Sequence, residues 1–260
     1  MDVLIVSAHP EPRSLTAALR DVAIAQLRHD GHQVQVTDLH ANGWKAAVDR
    51  ADFPDLDPTA RLKVPEASNR ATLAGALSDD VADEQAKLDR ADALVLHFPL
   101  WWFSMPAILK GWIDRVWSNG FAYGVGEHSD TRWGDRYGEG RLAGKRALLV
   151  VTAGGWPEHY GARGINGPID DLLFPIQHGI LFYPGYAVLP PAVVYRADQL
   201  DADGFAGAAD MVRGRMRGLF SDAAIPFRQQ NGGDYRIPTM ELRDQLDDTG
   251  AAGFALHRRP

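Results

Sequence analysis

Apolar and polar positions along the chain alternate between two periods. Residues 2–8 form a short, continuous run carrying Val3, Leu4, Ile5 and Val6 and ending at His9-Pro10, which predicts a strand covered on both faces of a parallel sheet. After Ser14, the residues Leu15, Leu19, Val22, Ala23 and Leu27 recur at helical spacing until Gly31, predicting a helix packed along one face with Ser14 as its N-cap. Residues 33–39 then alternate around Val34 and Val36. The first forty residues are therefore one strand–helix–strand unit, and such a crossover implies parallel pairing. The rhythm continues with a helix over 80–90, a strand over 93–96 and a helix opening at Pro106, where proline suits a first turn. A strand over 146–152, a helix over 169–182 kinked at Pro175, a strand over 186–189 and a helix over 203–220 complete it. Five strands separated by helices predict a doubly wound α/β fold, a five-stranded parallel sheet with helices on both faces.

Two segments fall outside this rhythm. Residues 124–144 carry six glycines among charged and aromatic residues, too long for an ordinary connection and readable as a mobile lid or as a disordered surface loop. A catalytic domain over 1–220 is followed by an extension over 221–260. Its stretch from Ile225 to Tyr235 reads as a strap whose Phe227 and Tyr235 rings must be buried against the domain or a partner subunit.

Composition narrows the chemistry. The 260 residues contain no cysteine, which excludes thiol nucleophiles, dithiol redox pairs, cysteine-ligated metals and disulfide scaffolds, so any redox activity needs a borrowed cofactor. Lys and Arg number 27 against 34 Asp and Glu, a net charge of −7, and no basic run offers a nucleic-acid surface. The Met1-Asp2 start lacks the basic n-region of a signal peptide. The longest uncharged stretch, 179–195, is broken by Pro184, Pro190 and Pro191 and falls short of the roughly 20 apolar residues of a spanning helix. These features predict a soluble, cytoplasmic protein.

Open parallel sheets bind ligands outside the carboxyl ends of their strands. The first such loop brings His9, Ser14, Leu15 and Thr16 to a helix N-terminus able to receive phosphate, although taken alone Ser14 reads as a plain cap and Thr16 as a first-turn residue. In the second, His97 to Pro106, residues Pro99, Leu100, Trp101, Trp102 and Phe103 form a rigid aromatic ledge suited to a planar ring, or else a hydrophobic cluster beneath a helix. The third joins Thr152 and the Gly154-Gly155 pair to Tyr160, either a close backbone approach to a ligand or a flexible turn. No Walker, nucleophile-elbow, zincin or dinucleotide fingerprint is present, and neither His29 with His32 nor Glu127-His128-Ser129-Asp130 has the spacing of a metal site or a triad.

These loops, with Pro106-Ala107-Ile108-Leu109-Lys110-Gly111-Trp112, Phe121-Ala122-Tyr123, Gly164-Ile165 and Pro175-Ile176-Gln177, resemble the DT-diaphorase-type NAD(P)H:quinone oxidoreductases, flavodoxin-like flavoproteins, over about residues 2–220. The resemblance implies FAD rather than FMN, with His9, Ser14, Leu15 and Thr16 near its pyrophosphate and its ring along 99–103 and Thr152 to Gly155. It implies NAD(P)H and a quinone reacting in turn at one flat slot formed by Trp102, Phe103, Tyr123 and Asn166, in a homodimer with its active sites at the subunit interface. The family's catalytic tyrosine is similar to Tyr160. Asn166 stands where many members have histidine and cannot take up a proton, so the resemblance implies a relay reduced to Tyr160, with Asn166 orienting it or neighbouring His159 substituting, beside the close backbone approach of Gly154 and Gly155. A flavodoxin-like accessory subunit of a potassium-efflux transporter is the other class the resemblance admits.

Overall fold

The computed structural model describes residues 1–246, 250 and 252–259. The first unit consists of β1 (Asp2–Ser7), α1 (Leu15–His29) and β2 (Gln33–Asp38). Ser14 caps α1 as expected, its hydroxyl accepting the Ala17 N–H at 3.1 Å. Next come α2 (Val64–Ala74), α3 (Asp79–Arg90), β3 (Ala93–Pro99), α4 (Ala107–Val116) and β4 (Arg146–Thr152). Last in the domain are α5 (Ile169–Phe174), β5 (Ala187–Val188), β6 (Ala192–Val194) and α6 (Ala202–Arg217). The strands pair in parallel in the order β2-β1-β3-β4-β5, the flavodoxin-like winding.

Side-chain alternation on the strands divides the core in two. Leu4, Val6, Leu94, Leu96 and Phe98 face α4 through Leu109, Trp112 and Val116. Val3, Ile5, Val95, Leu148 and Val150 face α1 and α6 through Leu19, Leu27, Val212 and Met216. Because both faces are covered, β1 and β3 read as continuous apolar runs rather than alternating ones.

Four features differ from the expectation. The fifth position of the sheet is shared by two strands, β5 against the start of β4 and β6 against its end. Pro190 and Pro191 separate them, because proline cannot donate to the ladder and is tolerated only at an edge. Helix α2 was not anticipated; its sequence is small and polar with only Ala67, Ser68 and Ala71 buried, so its apolar periodicity is weak. At Pro175 the helix changes to π-helical turns over Pro175–Phe182, the wider winding accommodating a residue that has no N–H and crowds the preceding turn. Residues 124–144 form an ordered loop: Arg132 bridges Asp135 and Glu139, Leu142 is fully buried, and backbone bonds tie Tyr137 and Leu142 to Tyr183 and Pro184.

The extension lies on its own domain. Phe227 packs among Phe174, His178 and Phe182, the Tyr235 hydroxyl meets His257 Nδ1 at 2.8 Å, and a small hairpin joins β7 (Tyr235–Arg236) to β8 (Glu241–Leu242). Among the described residues, no helix is long and apolar enough to cross a membrane.

Candidate active site

Contacts across the carboxyl end of the sheet bring the three loops together. Thr16 and Thr152 share a buried hydroxyl–hydroxyl hydrogen bond of 2.7 Å, fastening the start of α1 to the end of β4. Leu100 N–H donates to the Thr152 carbonyl at 2.8 Å. The His9 ring lies 5.8 Å from that of Trp101. His9 Nδ1 accepts the Glu11 N–H at 3.0 Å, so the neutral ring carries its proton on Nε2. That donor, beside the N-terminus of α1, suits a phosphate. Leu15, at the first position of α1, is half-buried and packs against the core.

The second loop begins later than expected. His97 belongs to β3 and is wholly buried, with neither ring nitrogen hydrogen-bonded to a described residue. Burial, reinforced by nearby Arg20, lowers its pKa to about 3, which keeps it neutral. Beyond buried Pro99 and half-buried Leu100, Trp101 and Ser104 exchange both backbone hydrogen bonds at 3.0 and 3.1 Å. The two residues between them, Trp102 and Phe103, have φ of 49° and 63°. Left-handed backbone costs a residue with a Cβ about 1–2 kcal/mol, and such strain is retained where surrounding structure and function require it. The turn displays Trp102, 94% exposed, beside partly exposed Trp101 and Phe103.

The third loop, which Leu100 joins at Thr152, carries the diglycine. A Cβ on Gly155 would stand 2.9 Å from Cε2 and 3.2 Å from the hydroxyl of Tyr160, so only glycine lets the phenol lie against this backbone. Tyr160 is buried, and Tyr195 lies 5.5 Å away, ring to ring. Burial, with the negative charge of Asp170, raises the Tyr195 pKa. Asn166 is half-buried and donates its backbone N–H to the His159 carbonyl at 3.0 Å. No hydrogen bond joins it to Tyr160 among the described residues.

Tyr123 stands apart. It follows α4, about 15 Å long at 1.5 Å per residue, and lines a small cleft with Val64, Ser68 and Ser118. Within one chain it is not on the ledge with Trp102 and Phe103, because α4 carries the chain away from the crevice. Tyr195 and Arg196, by contrast, join the third loop unannounced. Ala153 N–H donates to the Val194 carbonyl and Arg196 N–H to that of Gly155, at 2.8 and 3.0 Å. Recognising β6 beyond the double proline would have marked them, since they follow a strand's carboxyl end.

An exposed, preformed aromatic ledge, a diglycine backed by a phenol, and a helix N-terminus with a donating imidazole fit a planar cofactor that bears a phosphate tail. The chain matches the flavodoxin-like fold family over residues 1–215. It is 56% identical to a ribosyldihydronicotinamide dehydrogenase-like protein of Penicillium crustosum, across 100% of this chain and 96% of that one. It is 33% identical to rat NAD(P)H dehydrogenase (quinone) 1, across 86% of this chain and 79% of that one. A crystal structure of a Klebsiella pneumoniae protein assigned as a quinone reductase superposes with a TM-score of 0.96, at 56% identity and 100% coverage of both chains. With its winding, its ledge and its relatives in agreement, the chain belongs to the flavodoxin-like NAD(P)H dehydrogenase (quinone) family of oxidoreductases.

Proposed function

We propose that this protein is an FAD-dependent reductase that passes two electrons from a dihydronicotinamide to a quinone, the two substrates occupying one slot in turn in a ping-pong order. The observation that carries this reading is the left-handed Trp102-Phe103 turn, on the loop that Leu100 ties to Thr152, together with the Gly155 backbone against which Tyr160 lies. A flavin bound there would supply hydride acceptance and donation, chemistry that the side chains of this cysteine-free chain lack. The chain's own residues do the rest. Ser14, Thr16 and His9 Nε2 hold the phosphate end, while 99–103 and Thr152 to Gly155 hold the ring edge. Trp102 and Phe103 offer flat faces to whichever substrate is present and exclude water from it. The Tyr160 hydroxyl donates a hydrogen bond toward charge that develops on the ring system, and Asn166 supplies a second donor without taking up a proton.

The slot is completed in a homodimer in this reading. Trp102 and Ile165 are 94% and 91% exposed, unusual for large apolar residues of a monomer, and Tyr123 reaches a ledge only as the contribution of a second copy. The relatives are named for two kinds of reductant, a dihydronicotinamide riboside and NAD(P)H, and both have the same reacting ring. Nothing in these relatives favours a transporter subunit.

The test is an anaerobic visible spectrum of the purified protein with the released cofactor identified by chromatography. FAD absorption that bleaches with a dihydronicotinamide and returns with menadione is the expected result. A protein that refuses added flavin, or whose flavin no dihydronicotinamide bleaches, overturns the proposal.

A further inference from the structure

We propose that Arg196 reads the phosphate of the reductant at the mouth of the slot, so that this protein favours a phosphorylated dihydronicotinamide over the uncharged riboside. The proposal rests on the reductase reading above and concerns the same site. Arg196 follows β6 directly, and its N–H donates to the Gly155 carbonyl at 3.0 Å while Ala197 N–H donates to that of Ala153 at the same distance. The residue is thereby fixed to the loop that carries Gly154, Gly155 and, through close contact, Tyr160. Its backbone is left-handed, with φ of 54°, a conformation that costs arginine about 1–2 kcal/mol and that asparagine tolerates better.

The guanidinium is held as firmly as the backbone. Its Cζ lies 3.9 Å from the centre of the Trp156 ring, a stacked arrangement that keeps a cation in place without consuming its in-plane donors. One Nη2 contact, to Gln199 Oε1 at 3.3 Å, is its single side-chain hydrogen bond among the described residues, and its Nε is buried without a partner. It makes no ion pair with any described carboxylate. A fixed cation with unused planar donors, on the loop beside the reacting ring of an acidic protein, is matched to an anion, and guanidinium geometry favours phosphate. A dihydronicotinamide dinucleotide carries a pyrophosphate within reach of its ring; the riboside carries no charge there.

The test compares NADH and dihydronicotinamide riboside as reductants, with menadione held constant, for the wild type, Arg196→Asn and Arg196→Lys. Asparagine removes the charge and keeps the left-handed backbone. We expect the ratio of kcat/KM for NADH to that for the riboside to fall about tenfold in Arg196→Asn, mainly through KM, which is about 1.4 kcal/mol. Lysine should restore part of it. Wild-type kcat/KM for NADH should also fall with added salt more steeply than that for the riboside, a measurement that needs no variant. Equal losses with both reductants, equal salt dependence, or a wild type that uses the riboside alone would each overturn the proposal. Failure of the reductase reading is distinguishable, since the flavin would then bleach with neither reductant.

Discussion

At Gly155 a single methyl group is enough to disturb the site. Gly155→Ala places a Cβ 2.9 Å from the Tyr160 ring, so the phenol must move by a few tenths of an ångström. Displacements of about 1 Å at reacting centres cost about 10²-fold in rate, and we expect a tenfold or greater loss of kcat in stopped-flow traces with an unchanged circular dichroism spectrum. His97 governs a different property. Its pKa is lowered to about 3 in the folded protein by burial, against about 6.5 unfolded. The neutral ring therefore contributes full stability above pH 6.5, and that contribution is lost as the pH falls from 6.5 toward 3, by on the order of a few kcal/mol. His97→Leu should flatten the fall of Tm between pH 6.5 and 4 in thermal scans; a slope equal to the wild type's would refute the assignment. The sequence marked His97 as part of a ligand loop because its type and neighbours matched one. Only the register of β3 shows that it points into the core.

Elements differ in how much their own sequence specifies. α1 declares its cap, its apolar stripe and its stop between Ser14 and Gly31, and the structure shows Ser14 capping the helix, Leu19, Ala23 and Leu27 buried, and the helix ended before Gly31. β5 and β6 contain only two and three residues, too few for a periodic signal, and they exist because β4 offers an unpaired edge on either side of a proline pair. The π-helical turns start at a local signal, Pro175, and are tied to the rest of the domain by packing: Trp117 Nε1 donates to the Ile180 carbonyl at 3.0 Å, one of the tertiary contacts made by this segment. The joint between α1 and β4 is testable. Thr152→Val leaves the buried Thr16 hydroxyl without its 2.7 Å partner, which should cost about 1–3 kcal/mol in urea unfolding and weaken flavin retention together. Full stability with full flavin content would show that the bond is incidental.

For the whole molecule, the exposed Trp102 and Ile165 lead us to expect the mass of two chains by sedimentation, and fluorescence of Trp102 shielded from soluble quenchers. A monomer of freely quenched tryptophans would leave Tyr123 outside any slot. By itself the sequence determined the doubly wound fold, the three crevice loops and the absence of thiol chemistry, because these depend on short-range periodicity, strand-end position and composition, which are local properties. Only the tertiary structure decided that the 124–144 loop is pinned beside Tyr183 and Pro184, that the strap buries Phe227 and Tyr235 on its own domain, that Tyr123 lies a helix away from the ledge, and that Arg196 sits over Trp156 beside Gly155. Each of these depends on residues distant in sequence being brought together by the core, and the energy that selects among such pairings comes from burial and packing that no single segment contains.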